Sequence, residues 1–143
     1  MRIAYLFVLA LAMTSTAAFA QTAKQKVPAQ SVKQVTLKRT VLTDTRTKVL
    51  TYYALDPKCS PTGTVTVRIV KEPTNGKLET DVGPDFTKYP KDNVRSKCNA
   101  KESQVARIWY QSNPNFKGND EALLEVIYPD GRARQERLII AVK

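Results

Sequence analysis

Asp120 lies in the stretch NPNFKGNDEALLEV (113–126), where Phe116, Gly118 and Asp120 alternate directly ahead of an apolar run. A carboxylate at that point has two chemistries open to it. It ligates a cation, or it accepts hydrogen bonds from backbone N–H groups and holds a corner of the chain. Calcium takes about six to eight oxygens, usually from several carboxylates, and Asp120 has only Glu121 beside it. The ligand count favours the corner.

The remaining residues with catalytic potential are sparse. The chain has 143 residues and no His, which removes the usual general base near neutral pH and the commonest transition-metal ligand. Ser stands near Lys in SPTG and SKCNAKES, a combination that arises readily in basic surface loops. Asp81, Asp85 and Asp92 are close in sequence, but nothing orients two of them toward one cleft as glycoside hydrolysis requires. The two cysteines, Cys59 and Cys98, cannot complete a zinc shell without His. In an exported chain an even pair predicts a disulfide. Closing a loop of about 40 residues stabilises the fold by roughly 4 kcal/mol in the chain-entropy model. The expectation is a protein that is not an enzyme, with no cofactor and no metal.

Charge is the other chemical resource. Lys and Arg number 23 against 13 Asp and Glu, a formal net charge of +10. Lys88, Lys91, Arg95, Lys97, Lys101 and Arg107 crowd the Cys98 region, and Arg132, Arg134 and Arg137 mark the C-terminal end. Lys97, Lys101, Arg132 and Arg134 are the candidate anion-binding residues, since a positive field attracts lipid head groups, lipopolysaccharide phosphates or other polyanions. The competing reading is solvated charge that keeps a small exported protein soluble. The cations occur in every segment and no nucleic-acid motif interleaves them, so the expected polyanion binding is weak. Tyr52 and Tyr53, and Trp109 and Tyr110, point to opposite faces of their strands, so one of each pair is available to a partner.

The elements that must position these groups are strands. Residues 1–20 combine a basic start, an apolar run and the small residues Ala18 and Ala20. That pattern predicts a signal peptide cleaved after Ala20, hence a periplasmic or secreted protein with no integral membrane segment after cleavage. Residues 21–31 are polar and aperiodic, a flexible leader. Residues 32–143 form one domain. Period-two alternation or β-branched enrichment marks strands at 32–42, 47–55, 63–70, 104–111, 121–128 and 134–142. Asn75-Gly76 has the composition of a type I′ hairpin turn. Pro129-Asp130-Gly131-Arg132 joins the last two strands as an antiparallel pair. Residues 80–103 carry two Pro, one Gly and many charges, and predict a long irregular loop with a short strand near 94–98. About seven short strands predict an all-β sandwich.

The segments VKEPTNGKL, Phe86-x-x-Tyr89-Pro90 and YQSNPNFKGNDEALLEVIYPDG resemble the Ig-like and cadherin-like modules of exported bacterial proteins. The likeness runs over roughly residues 50–143. It extends to small single-domain secreted proteins of proteobacteria, which also carry an early Cys and a Cys-Asn pair, here Cys98-Asn99. The resemblance implies an Ig-like Greek-key antiparallel sandwich. It also implies structural roles at the corner: Gly118 in a conformation other residues avoid, Phe116 as a plug beneath the sheet, Asp120 as the hydrogen-bond acceptor. The expected function is an exported, non-catalytic, monomeric domain with a structural or protein-interaction role in the periplasm or cell envelope. Its partner would be a protein or envelope component. The alternative is a basic envelope-binding protein that recognises anionic lipid, lipopolysaccharide or polyanion.

Overall fold

The computed structural model describes residues 34–143; the predicted signal peptide and predicted leader lie outside the described residues. Seven strands form two sheets: β1 (Gln34–Val41), β2 (Thr47–Tyr52), β3 (Thr66–Lys71), β4 (Gly76–Phe86), β5 (Glu102–Ser112), β6 (Gly118–Ile127) and β7 (Ala133–Val142). One sheet has the order β1-β7-β6-β3 and the other β2-β5-β4. All neighbours are antiparallel except β1 and β7, which run parallel from Gln34 opposite Gln135 to Val41 opposite Val142.

Alternation along the strands builds the core. Ala122, Leu124 and Val126 of β6 point inward with Leu138, Ile140 and Val142 of β7. Ile108 and Tyr110 of β5 and Leu78 of β4 meet them from the second sheet. Each fully buried aliphatic side chain contributes about 1.5–3 kcal/mol relative to exposure. In β2 a register irregularity between Lys48 and Leu50 lets two consecutive residues, Val49 and Leu50, both enter the interior. The β6–β7 hairpin turns at Gly131, whose φ is 82°, a conformation open to glycine. The backbone closes it with Tyr128 N–H donating to the Arg132 carbonyl at 2.8 Å.

Cys59 and Cys98 form a disulfide with a Cα–Cα distance of 5.3 Å. Cys59 belongs to the turn at 56–60, where the Asp56 carboxylate accepts the N–H groups of Lys58 and Ser60. Cys98 is buried in a short 3-10 helix, Ser96–Ala100.

Two local expectations are overturned. Asn75-Gly76 is not a hairpin turn: β3 pairs with β6 and β4 with β5, so residues 72–75 carry the chain from one sheet to the other. Neither residue has a positive φ. Gly76 is required instead by close packing, since a Cβ there would lie 2.5 Å from the Tyr110 ring. The predicted loop at 80–103 is also wrong in its first part. β4 continues through Pro84 to Phe86, paired throughout with β5. An edge strand tolerates proline because one of its sides needs no hydrogen bonds. Residues 94–98 are turn and 3-10 helix rather than strand.

Candidate functional site

The corner at 113–120 is built from hydrogen bonds that span the sequence. Gly118 has φ of 139°, which a side chain would strain. Asn115, at φ 60°, donates its N–H to the Asp44 carboxylate at 3.0 Å. Phe116 is half-buried against the rim of the core. The Asp120 carboxylate is buried and accepts from Thr74 N–H at 2.9 Å, Asn75 N–H at 2.9 Å, Tyr110 Oη–H at 2.9 Å and Glu121 N–H at 3.0 Å. Both oxygens are taken up, and the Asp120 side chain anchors the sheet-to-sheet crossing at 72–75. Burial, and then the bond to Asp120, push the Tyr110 phenol far above its ordinary range. Among the described residues no group of three or more His, Cys, Asp or Glu gathers to hold a metal ion.

The outer face of the β2-β5-β4 sheet is a lattice of matched charges. Arg107 forks onto Asp81 with two contacts of 2.8 Å, and its hydrogen bonds hold that carboxyl below the usual carboxylate range. Lys48 pairs with Asp85, and Arg46 with Glu79 at 3.1 Å. Trp109 lies under Arg46, 4.2 Å from its ring centroid, and donates Nε1–H to Asp81. The β1-β7-β6-β3 sheet pairs Arg137 with Glu121 at 2.5 Å and Arg68 with Glu125 at 3.4 Å. Asp81 and Asp85 are thus occupied by cations rather than paired with each other.

The open side of the sandwich is different. The edge strands β1 and β2 flank a groove of about 1070 Å³. Its walls come from β1, the end of β2, the 87–95 segment and the β6–β7 turn. Four tyrosines line it, Tyr52, Tyr53, Tyr89 and Tyr128, with five cations, Arg39, Lys88, Arg95, Arg132 and Arg134. Tyr53 and Tyr89 meet edge to face with centroids 4.8 Å apart. Arg132 and Arg134 lie 5.5 Å and 5.4 Å from the centroid of Tyr128, within cation–π range.

The four arginines are held by specific bonds. Arg39 donates Nε–H to the Val49 carbonyl at 2.7 Å, lacing β1 to β2 across the two sheets. Arg95 donates Nε–H to the Leu55 carbonyl at 2.6 Å. Arg134 donates to Glu136 at 2.6 Å and Arg132 to Asp130 at 2.7 Å. Glu136 is fully buried on β7 and also accepts from the Tyr52 hydroxyl. Burial and that bond push the Tyr52 phenol far above its ordinary range, so it stays a donor at every ordinary pH. Arg39, Lys88 and Arg95 have no carboxylate within ion-pair distance among the described residues, and residues 1–33 contain no acidic side chain.

Of the candidate anion-binding residues, Arg132 and Arg134 line the groove, whereas Lys97 and Lys101 stay exposed on the 3-10 helix and its C-terminal flank and do not line it. Arg39, Arg95, Tyr89 and Tyr128 were not singled out as binding residues by their sequence context. Tyr89 had a signal in the Tyr-Pro and Cys-Asn pairs. The Asn99 side chain accepts Tyr89 N–H and donates to the Tyr89 carbonyl, both at 2.9 Å, so Cys98 staples the wall while Asn99 places the ring.

No family model matches the chain, and no curated protein matches it. Among solved structures, the solution structure of amebosin is similar over 80% of this chain and all of its own. The identity is 11% and the TM-score 0.38, a likeness too slight to bear on fold family or function.

Proposed function

We propose that the chain is an exported, non-catalytic, Ig-like binding module of the cell envelope that holds an anionic partner in the tyrosine–arginine groove. The strand order supports the Ig-like part. With β1 to β7 taken as strands A to G of an Ig domain, B-E-D fall in one sheet and C-F-G in the other, as in that fold, with strand A moved to the edge of G. The disulfide departs from the usual Ig staple: it joins two connections rather than two facing strands. Export is supported by the 1–20 pattern and by the disulfide, which an oxidising compartment preserves.

One observation carries the anionic reading. The cations on the outer face of the β2-β5-β4 sheet are paired with carboxylates, as are Arg68 and Arg137 on the other sheet, where Lys38 and Lys71 stand as single exposed charges; Arg39, Lys88 and Arg95 instead line one concave, tyrosine-bearing surface together without a carboxylate partner. Unmatched charge in a concavity attracts counter-ions more strongly than dispersed surface charge. This favours the envelope-binding reading of the charge over a purely structural domain. The test is co-sedimentation of the exported protein with phosphatidylglycerol vesicles at near-physiological salt. Retention is expected, lost in the Arg39→Glu, Lys88→Glu double variant and kept in Arg68→Glu on an outer face. Binding that fades with salt equally in all three proteins would leave only a screened, dispersed field and sink the proposal.

A further inference from the structure

We propose that the groove is built for a phosphorylated saccharide, a ligand with sugar rings and at least two phosphate groups. This rests on the groove being the binding face. Arg39 and Arg95 both spend Nε–H on a backbone carbonyl of β2 or its continuation. The guanidinium planes are therefore fixed in advance; Arg39 also donates Nη1–H to the Lys38 carbonyl at 2.8 Å, which leaves its Nη2 for a ligand, while both terminal nitrogens of Arg95 remain. Preorganised guanidinium forks match phosphate oxygens in pairs and cost less ordering on binding. Lys88 adds a mobile point charge, and its backbone N–H already donates to the Tyr53 hydroxyl. Three unmatched cations are better neutralised by two phosphates than by one carboxylate.

The rings specify the rest. Tyr53, Tyr89 and Tyr128 are each part-exposed, giving apolar faces with polar tips. Pyranose rings carry apolar C–H faces and a rim of hydroxyls, the complement of such a surface. The volume of about 1070 Å³ lies just above the usual range for small-molecule sites, about 300–1,000 Å³, which is room for two sugar rings.

The competing ligand is an extended acidic peptide added as a strand to the free edge of β2. The hydrogen bonds along that wall oppose it. The Val49 carbonyl is taken by Arg39 and the Ala54 carbonyl by Thr62 N–H. Leu55 N–H is taken by the Tyr89 hydroxyl, and the Leu55 carbonyl by Arg95. Strand addition requires a run of open main-chain donors and acceptors, and here the run is interrupted at Val49 and closed beyond the end of β2 at Ala54 and Leu55.

The experiment is calorimetric titration of the exported protein with a glucosamine disaccharide bearing two phosphates. Inorganic phosphate, the unphosphorylated disaccharide and a hexaglutamate peptide are titrated in parallel. The bisphosphorylated disaccharide is expected to bind at least tenfold tighter than each of the other three. Lys88→Gln, where the native side chain makes no hydrogen bond or ion pair among the described residues, is expected to weaken it several-fold, and Arg39→Gln about tenfold. Tyr89→Leu is expected to erase the preference for the disaccharide over inorganic phosphate. Equal binding of inorganic phosphate, or tighter binding of hexaglutamate, overturns the saccharide. If no soluble ligand binds yet anionic vesicles are retained through Arg39 and Lys88, the saccharide falls and the anionic module stands. If vesicles are not retained either, both fall.

Discussion

Asp120→Ala should be among the most destabilising single changes in this protein. The carboxylate is 4% exposed and accepts three hydrogen bonds from groups distant in sequence, the N–H groups of Thr74 and Asn75 and the hydroxyl of Tyr110. Hydrogen bonds to a charged group are each worth about 1.5–3 kcal/mol net, and a buried donor left unpaired costs about 1–3 kcal/mol. Some of that cost is recovered, because Thr74 is exposed and Asn75 only half-buried, so water can reach their N–H groups. A loss of about 3–5 kcal/mol results, a large share of the roughly 5–15 kcal/mol typical of a domain. Asp120→Asn keeps one acceptor but turns an NH2 toward either Thr74 N–H or the Asn75 and Tyr110 donors, so about 2 kcal/mol is expected. That is more than the mild effect which an exposed corner carboxylate would suggest. Urea unfolding followed by Trp109 fluorescence measures both, with an unchanged dependence on denaturant marking a true stability change. A loss under about 1 kcal/mol for Asp120→Ala would refute the anchor. So would a calcium-dependent rise in melting temperature that Asp120→Asn abolishes, because the same oxygens would then be ligating a cation.

Three other perturbations separate the parts of the fold. Reducing Cys59–Cys98 should lower stability by about 4 kcal/mol in the chain-entropy model. It should also raise hydrogen exchange at 87–101 before the sheets open; uniform loss of protection would show that the wall and the sheets are one unit. Gly76→Ala should cost about 2–3 kcal/mol by overpacking, since its Cβ would meet Tyr110 and the Gln111 carbonyl at 2.5–2.6 Å; a wild-type melting temperature would place those groups elsewhere. Stability should fall as pH rises above about 10. Tyr52 and Tyr110 keep their protons in the folded state, while the unfolded chain loses them near the ordinary phenol value of 10.0, so the unfolded state binds fewer protons there. Tyr52→Phe and Tyr110→Phe should each flatten the alkaline limb measured by urea titration at pH 8 to 11, and an unchanged slope in both would contradict the buried phenols.

The strands that bury a face were legible, because alternation leaves a record. Val65, Val67 and Ile69, or Leu138, Ile140 and Val142, announce a two-residue period whatever their partners are. β4 left no such record. It is an edge strand whose outward residues Glu79, Asp81 and Asp85 were chosen to meet Arg46, Arg107 and Lys48 across the sheet. With Gly83 and Pro84 among them they have the composition of a loop. Asn75-Gly76 misled for a related reason. The dipeptide describes a local preference, and the N–H groups of Thr74 and Asn75 are captured by a carboxylate more than forty residues away. The all-β class and the disulfide needed only composition, period and cysteine count.

The groove was illegible because its chemistry depends on what each cation fails to meet. Arg95 and Arg107 look alike in the sequence, two arginines flanking Cys98 in a basic stretch. Arg107 emerges from β5 directly opposite Asp81 of β4, forks onto that carboxylate and covers Gly83, so its charge is spent inside the sheet. Arg95 emerges from a turn held by the disulfide and finds only the Leu55 carbonyl, which fixes its plane without neutralising it. Arg39 likewise meets only backbone carbonyls, those of Val49 and Lys38. A backbone carbonyl carries a partial charge, so a guanidinium bonded to it remains a full cation with a fixed direction. Net charge sums Arg95 and Arg107 equally, yet only the pairing across the fold decides which of them keeps an unmatched charge.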